Sequence, residues 1–272
     1  MKHFFLFICL SFTFVSFQAQ SDFNKDFKDG ILSIEEKKYK QAIDFMEKHV
    51  ESNADNANLN YRLGVAYSKL PLGDEKAIKY LEVATKTTTS NYDLFSANET
   101  NAPKEAIFAL AEVYLETGNW EGAATMANAA RQSYALMTGE EWAADGFSDI
   151  SNKEWMWGAD IDSESSSTFA SFFSHFDSTN DGYGGALGGY KLMDSRLYAM
   201  IPDSDKRKEA FIDPVDGNPL YDDLELPAYA NVKFRDPTFF EGDYSYMRVS
   251  EMYLIEAEAK ARLNASDAAQ VL

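Results

Sequence analysis

The sequence predicts a mainly α-helical protein in which helix pairs stack as an α-solenoid, interrupted by long irregular loops and a few short strands. Three observations lead to this prediction. Small and aromatic residues repeat at a helical spacing in the first half, the middle loses that period, and residues 246–264 return to a strong helical pattern. The 272 residues, 45% of them hydrophobic and 14% aromatic, are sufficient to bury a core.

Residues 1–20 predict a secretory signal peptide. A short basic start precedes an apolar run from Phe4 to Phe17, and we expect the signal peptidase to cut near Ala19 or Gln20. The run is shorter than the ~20 residues that span a bilayer, so a transmembrane helix is the weaker interpretation. The chain's single cysteine, Cys9, lies within this segment, so we expect no disulfide, no cysteine metal site and no lipid anchor after export.

The charge balance narrows the possible partners. The chain carries 44 acidic and 25 basic residues, a formal net charge of −19. A phosphate backbone or an anionic lipid surface would be repelled rather than neutralised. We therefore exclude nucleic acid as a partner.

Residues 21–137 contain a repeated pattern. Three segments each place small residues on both of their helices: Gly30 and Ala42, Gly64 and Ala77, Ala111 and Ala123. Small residues at a contact let two helices approach closely. The distance from Gly30 to Gly64 is one period of the tetratricopeptide repeat, a helix pair of ~34 residues that the pattern resembles. We expect Tyr67, Tyr114 and Trp120 to fill the space between pairs.

The repeats are not evenly spaced. The third copy begins later than the period requires, and the additional residues, near 85–97, predict a loop. Residues 21–109 also resemble repeat segments of bacterial envelope proteins that carry OmpA-like or propeller domains. Unrelated amphipathic helices are the alternative.

Residues 138–245 predict an irregular region that binds a ligand. Long structured loops commonly carry binding surfaces, and "NKEWMWGADI" has the alternation of a short strand. Aromatic faces beside polar groups hold sugars, because the rings stack on C–H faces while polar groups bind hydroxyls. The candidates are Trp142, Trp155, Trp157, Phe172, Phe173 and Tyr183, with Asp160, Asp162 and Asn180 as polar neighbours. The alternative for each ring is an ordinary core position.

The sequence predicts neither catalysis nor a cofactor. No nucleophile motif, phosphate-binding loop or dinucleotide fingerprint occurs, and His175 has no partner at metal-ligand spacing. A pair of glycosidase carboxylates cannot be singled out among 44 acidic residues. We expect no enzyme activity and no metal site, and a secreted hydrolase is the minor alternative.

Residues 246–272 predict the start of a further helix pair. The segment "YMRVSEMYLIEAEAKARLN" offers the helical ion pairs Glu256–Lys260 and Glu258–Arg262. We expect Arg248, Glu251 and Tyr253 to be structural, with an Arg248–Glu251 pair that links the helix to the preceding loops.

This helix resembles the hallmark helix of the SusD/RagB family, with its Arg-x-x-Glu-x-Tyr-Leu and Ala-Glu-Ala core. Three more stretches resemble the same family in order: "LAEVYLETGNWEGAATMANAARQSYALM", "NKEWMWGADI", and "DSRLYAMIPDSDKRKEAFI" with its Asp-x-Arg segment at Asp205–Arg207. The resemblance covers residues 106–272.

The resemblance implies a non-catalytic nutrient-binding subunit at the outer membrane of Bacteroidetes, which captures glycans or peptides for a SusC-like TonB-dependent transporter. The family continues beyond the point where this chain ends, and its usual lipoprotein cysteine and start are missing, so we expect a fragment or a fusion. The alternative function is a periplasmic tetratricopeptide scaffold that binds another protein through its helical surface.

Overall fold

The computed structural model describes residues 20–94, 96–144 and 146–272. The predicted signal peptide, apart from Gln20, lies outside the described residues. The chain forms two compact units. The first contains the residues up to Gln132 together with Met252–Leu272, and the second is Ser133–Glu251.

The mainly α prediction is confirmed. The helices of the described residues are α1 (20–35), α2 (Tyr39–Met46), α3 (Ala57–Ser68), α4 (Asp74–Ala84), α5 (Glu105–Glu116), α6 (Trp120–Arg131), α7 (Gly139–Ala143), α8 (Phe172–Phe176), α9 (Ser195–Met200) and α10 (Val249–Arg262). Short 3₁₀ helices lie at Glu47–His49, Lys206–Ala210 and Ala268–Gln270.

The strands form two small sheets. In the first unit β1 (Thr88–Thr89) pairs in parallel with β2 (Ala102–Pro103), and in the second β3 (Trp155–Ala159) pairs antiparallel with β4 (Tyr244–Arg248). Within the described residues no helix has both the length and the apolar character that crossing a membrane requires.

Small residues set the spacing of the helix pairs, as predicted. The Ala42, Ala77, Ala111 and Ala123 side chains are fully buried. A Cβ on Gly64 of α3 would lie 2.6 Å from the Leu81 Cγ of α4, and one on Gly30 would lie 2.7 Å from the Met46 Cγ of α2. Because real Cβ atoms do not approach so closely, both helix contacts depend on glycine.

The turn between α5 and α6 follows from two residues. Gly118 has a φ of +76°, a conformation that glycine adopts without a steric penalty, and this ends α5. Asn119 then starts α6, because its side-chain oxygen accepts a hydrogen bond from the Gly122 N–H at 3.0 Å.

The additional residues before the third repeat form the expected loop. It runs from α4 to α5 and contains β1 and β2. The Tyr92 hydroxyl donates to Asn58 Oδ1 and accepts from Arg62 Nη2 at 2.7 Å. Both partners lie on the buried face of α3, so polar contacts hold the loop to the helix.

In the first unit α10 packs on α6 around a buried carboxylate. Glu256, 1% exposed, binds Arg131 Nε at 2.7 Å, Lys260 Nζ at 3.0 Å and Asn128 Nδ2 at 3.2 Å. The Arg131 guanidinium also lies 4.4 Å from the ring centroid of Tyr253, which places this predicted structural residue at the contact. The expected Glu256–Lys260 and Glu258–Arg262 pairs are both present.

The predicted start of this helix is wrong. Residues 246–248 belong to β4, and α10 begins at Val249. The alternation of Tyr244 and Tyr246 with smaller residues suits a strand, and pairing with β3 supplies backbone hydrogen bonds that a helical extension would forgo. Tertiary pairing therefore overrides the helical pattern in these residues.

We predict that Glu256→Gln lowers the free energy of unfolding by about 2 kcal/mol, because Arg131 loses a charged partner beside a buried site. Burial alone would raise the pKa of Glu256, but the hydrogen bonds from Arg131, Lys260 and Asn128 outweigh it and lower the pKa. The stability difference between the native protein and the variant should therefore be largest above the pKa that Glu256 has in the unfolded chain. It should disappear as the pH falls through the lower pKa that Glu256 has in the folded protein. Urea denaturation across this pH range measures it.

The control for this change is Glu258→Gln. Glu258 pairs with Arg262 at 3.0 Å on an exposed face, so its replacement should change stability by less than about 0.5 kcal/mol. Equal losses in the two variants would contradict the central role of Glu256.

We further predict that Gly64→Ala destabilises the protein by about 1–3 kcal/mol, because the new methyl group meets the branched end of Leu81. Gly30→Ala is the matched comparison. It meets only the flexible side chain of Met46, so its loss should be smaller. Thermal unfolding of both variants tests this order, and a larger loss at Gly30 would refute it.

Candidate functional site

The β3–β4 sheet separates two of the predicted ligand residues. The antiparallel register shifts between Trp155 and Trp157 and again before Gly158, so the tryptophans do not share one environment. Trp155 is 5% exposed, and its Nε1 donates to the Gly146 carbonyl at 3.2 Å. Trp157 is 47% exposed and packs edge-on against Tyr246. The strand prediction is confirmed, and of the two tryptophans Trp155 occupies an ordinary core position while Trp157 is open to solvent.

The expected Arg248–Glu251 pair is replaced by another. Arg248 Nη1 lies 3.0 Å from Oε1 of Glu154, which is 3% exposed, and the Glu154 Oε2 atom accepts from the Met137 N–H at 2.8 Å. Glu251 is exposed. Arg248 points to the neighbouring strand because it ends β4 rather than lying on a helix, so it still anchors the sheet, though with a different partner.

Phe172 lies in a cluster of rings around α8. It stacks on Phe176 with centroids 4.6 Å apart and meets Phe234 edge-on at 5.1 Å. Phe172 and Phe176 are each a little more than one third exposed. The Phe172 N–H donates to the Tyr244 hydroxyl at 3.1 Å, which ties the start of α8 to β4. Phe173, by contrast, is buried in the core.

Tyr183 and Asn180 lie in the loop after α8. Tyr183 is exposed and stacks on His175 with centroids 4.9 Å apart. The Asn180 amide donates to the Phe173 carbonyl at 3.2 Å and accepts from the Gly182 N–H at 2.8 Å. Asn180 therefore shapes its own loop, and both ends of its amide already have a partner.

The two predicted acidic neighbours are exposed. Asp162 Oδ1 accepts from the Glu164 and Ser165 backbone N–H groups, so this carboxylate shapes a turn. Asp160 directly follows β3 and is exposed. Neither belongs to the cavity described next.

Trp142 lines a cavity of about 530 Å³. The helix that carries it, α7, begins with a capping box in which Thr138 and Glu141 exchange side-chain to backbone hydrogen bonds. The other residues that line the cavity are Met193, Leu197, Met200, Ile201, Pro202, Asp205, Arg207, Ala210, Phe211 and Lys233. This is a concave, mostly apolar surface with one half-buried indole and three charged side chains, the usual composition of a small-molecule site.

The three charged side chains of the cavity differ in their surroundings: Asp205 and Arg207 form an ion pair, whereas Lys233 is half-buried among rings. Arg207 binds the Asp205 carboxylate with two groups, Nε at 3.0 Å and Nη2 at 2.5 Å. These side-chain bonds and the Arg207 backbone N–H lower the pKa of Asp205 to about 2. Burial lowers the pKa of Lys233, and the positive charge of Arg248 adds to this effect.

A second cavity of about 590 Å³ shares Phe211 with the first. In it the Tyr198 hydroxyl donates to Asp213 at 2.8 Å, and the Lys208 Nζ atom lies 4.9 Å from the Tyr198 ring centroid. None of these residues was a sequence-predicted ligand residue. The Asp-x-Arg segment, however, contributes Asp205 and Arg207 to the first cavity, and the residues that follow it, Lys208 and Glu209, line the second.

The structure therefore does not bring the predicted ligand residues into one site. Trp142 lies at the cavity, Trp157 on the sheet, and Phe172 and Tyr183 on and after α8. A chain of ring contacts runs from Trp142 through Phe147 and Phe234 to Phe172.

Comparison with known proteins identifies the fold. No protein-family model matches the chain, and no curated protein matches it. Among solved structures, a SusD-like carbohydrate-binding protein from Bacteroides vulgatus is 22% identical, with a TM-score of 0.61 over 86% of this chain and 58% of its own. Surface glycan-binding protein A from Bacteroides uniformis is 13% identical, with a TM-score of 0.55 over 86% of this chain and 63% of its own.

A SusD superfamily protein from Bacteroides thetaiotaomicron is 14% identical, with a TM-score of 0.52 over 86% of this chain and 62% of its own. The chain thus has the fold of SusD-like carbohydrate-binding proteins, as its motifs predicted. It spans about three fifths of the length of these three structures.

We predict that Trp155→Ala lowers the free energy of unfolding by about 3–5 kcal/mol, because a buried indole and its hydrogen bond to the Gly146 carbonyl are lost. Trp157→Ala should cost much less, since that ring is half in water. Acrylamide should quench the Trp157 fluorescence strongly and the Trp155 fluorescence weakly, as measured by the difference between each variant and the native protein. If the two substitutions reduce acrylamide quenching by the same amount, the two tryptophans are equally accessible to solvent and the prediction is wrong.

Proposed function

We propose that the protein is a non-catalytic, nutrient-binding protein that captures a glycan in the Trp142 cavity. The observation that supports this most directly is the cavity itself, in a chain with the fold of SusD-like carbohydrate-binding proteins. The half-buried indole offers a face for the C–H side of a sugar ring, while Asp205, Arg207 and Lys233 offer groups for hydroxyls. The cavity is large enough for one or two sugar rings.

The charge state of the cavity supports binding rather than cleavage. A glycosidase needs a carboxylic acid that is protonated near neutral pH to protonate the leaving oxygen. Asp205 has a pKa of about 2 because Arg207 holds it, so it stays ionised and is a weak base. The one carboxylate that lines this cavity is therefore poorly suited to general acid or general base chemistry.

We further propose that the protein works at the outer membrane as a subunit of a TonB-dependent uptake system, with a SusC-like transporter as its partner. The predicted signal peptide of residues 1–20 supports export. The likeness to a surface glycan-binding protein of Bacteroides uniformis supports a place at the cell surface. Pull-down of the exported protein from a Bacteroidetes envelope should recover a TonB-dependent transporter, and recovery of only periplasmic proteins would contradict this placement.

We predict that Trp142→Ala weakens binding of an oligosaccharide by about tenfold or more, because the stacking face is lost. Isothermal titration calorimetry against a panel of oligosaccharides identifies the ligand and then compares the variants. Trp157→Ala is the matched control, since that indole is exposed but lies outside the cavity. If Trp157→Ala removes binding and Trp142→Ala does not, the glycan lies on the β3–β4 sheet instead.

A further inference from the structure

The Trp142 cavity contains a lysine whose surroundings are unusual. The Nζ atom of Lys233 lies 4.4 Å from the ring centroid of Phe147, 4.8 Å from that of Trp142 and 4.9 Å from that of Phe234. Ring faces attract an ammonium group, but more weakly than a carboxylate does. A cation held among three rings is therefore only partly compensated for the water that it has lost.

The nearby carboxylates are already engaged by other cations. Asp205 is held by Arg207 through two hydrogen bonds, and Glu154 is held by Arg248 at 3.0 Å. Within residues 20–94, 96–144 and 146–272, no carboxylate lies within ion-pair distance of Lys233. Lys233 is thus a half-buried cation whose close neighbours within the described residues are rings rather than carboxylates.

Burial adds to the cost of this charge. It lowers the pKa of Lys233, and the charge of Arg248 lowers it further while Glu154 acts in the opposite direction. A charge that is desolvated without a counterion is unfavourable, and an anion that enters the cavity would relieve this cost.

The backbone fixes Lys233 at the cavity. The preceding residue, Val232, is fully buried, and its N–H donates to the Ala210 carbonyl at 2.9 Å. Next to it, the Ile212 N–H donates to the Ala230 carbonyl at 3.0 Å. Residues 230–232 thus pair with residues 210–212, next to the Asp205–Arg207 turn that forms another part of the cavity wall.

We propose that the Trp142 cavity binds an acidic saccharide, whose carboxylate or sulfate group contacts Lys233 while a sugar ring packs on Trp142. This inference rests on the proposed glycan-binding function and specifies the class of glycan for the same cavity. Arg207 assists, because its Nε and Nη2 groups hold Asp205 while its Nη1 group has no acceptor among the described residues and can donate to a second anion oxygen. The chain's net charge of −19 opposes the approach of an anion, so the attraction has to come from Lys233 and Arg207 within the cavity.

The test compares acidic and neutral oligosaccharides of equal length by isothermal titration calorimetry. The probes are oligogalacturonate, oligoglucuronate and a sulfated galactose oligomer, together with the carboxyl-reduced or desulfated form of each. We expect at least one acidic oligomer to bind about tenfold more tightly than its neutral form, with an affinity that falls as salt is added. The uronate and sulfate arms show which anion the site takes.

Lys233→Gln should lower the acidic affinity about tenfold and the neutral affinity much less, because glutamine can still bind a hydroxyl but offers no charge to an anion. Lys233→Arg should retain most of the acidic affinity. Lys191→Gln is the matched control, because Lys191 also lies over a ring, Phe176, but does not line the cavity. If Lys233→Gln does not fold, the salt dependence and the acidic-to-neutral ratio of the native protein still decide the question.

Three results would overturn the inference. Neutral oligomers that bind as tightly as acidic ones, through Trp142, would leave the glycan function standing and remove only the acidic specificity. Unchanged acidic affinity in folded Lys233→Gln would do the same. If no saccharide binds, or only a peptide binds through its C-terminal carboxylate, the proposed function fails as well.

Discussion

The second unit depends on one carboxylate that has been removed from water. Glu154 is almost fully buried, and its two oxygens are held by Arg248 and by the Met137 N–H, while its backbone carbonyl accepts from the Val249 N–H at 2.9 Å. Three segments that are far apart in the sequence thus meet at one residue. Because an unpaired buried charge costs several kcal/mol, these contacts must form together. They hold the β3–β4 sheet, which in turn ties α8 in place through Tyr244.

The repeats of the first unit could be predicted because their determinants are local. Glycine and alanine at a helical spacing mark close contacts, and Gly118 and Asn119 mark a turn, whatever the rest of the chain does. The start of α10 could not be predicted in the same way. Residues 246–248 continue the helical pattern of the sequence, but in the structure they pair with β3 as a strand. The buried role of Glu256 was hidden for a related reason. Its Lys260 partner is visible four residues on, but Arg131 lies on another helix.

The aromatic character of the candidate site could be predicted from the sequence, but the residues that form it could not. The aromatic content of residues 138–245 pointed to ring faces, and Trp142 does line a cavity. The alternating pattern gave Trp155 and Trp157 the same predicted environment. The shift in strand register that separates them cannot be recognised in the sequence. Lys233 carries no signal at all in "NVKFRD". It becomes notable only when folding places three rings around its ammonium group and pairs the neighbouring carboxylates with arginines.

The connection between α4 and α5 has a consequence for how this chain can evolve. Arg62 lies almost fully buried on α3 with its guanidinium between the rings of Tyr61 and Tyr92, and Tyr92 belongs to the connection. Deleting the loop to restore a regular repeat would leave that guanidinium without its hydroxyl acceptor inside the protein. A shorter connection would therefore be tolerated only together with a replacement of Arg62, so the residue on α3 and the loop that covers it are expected to change together.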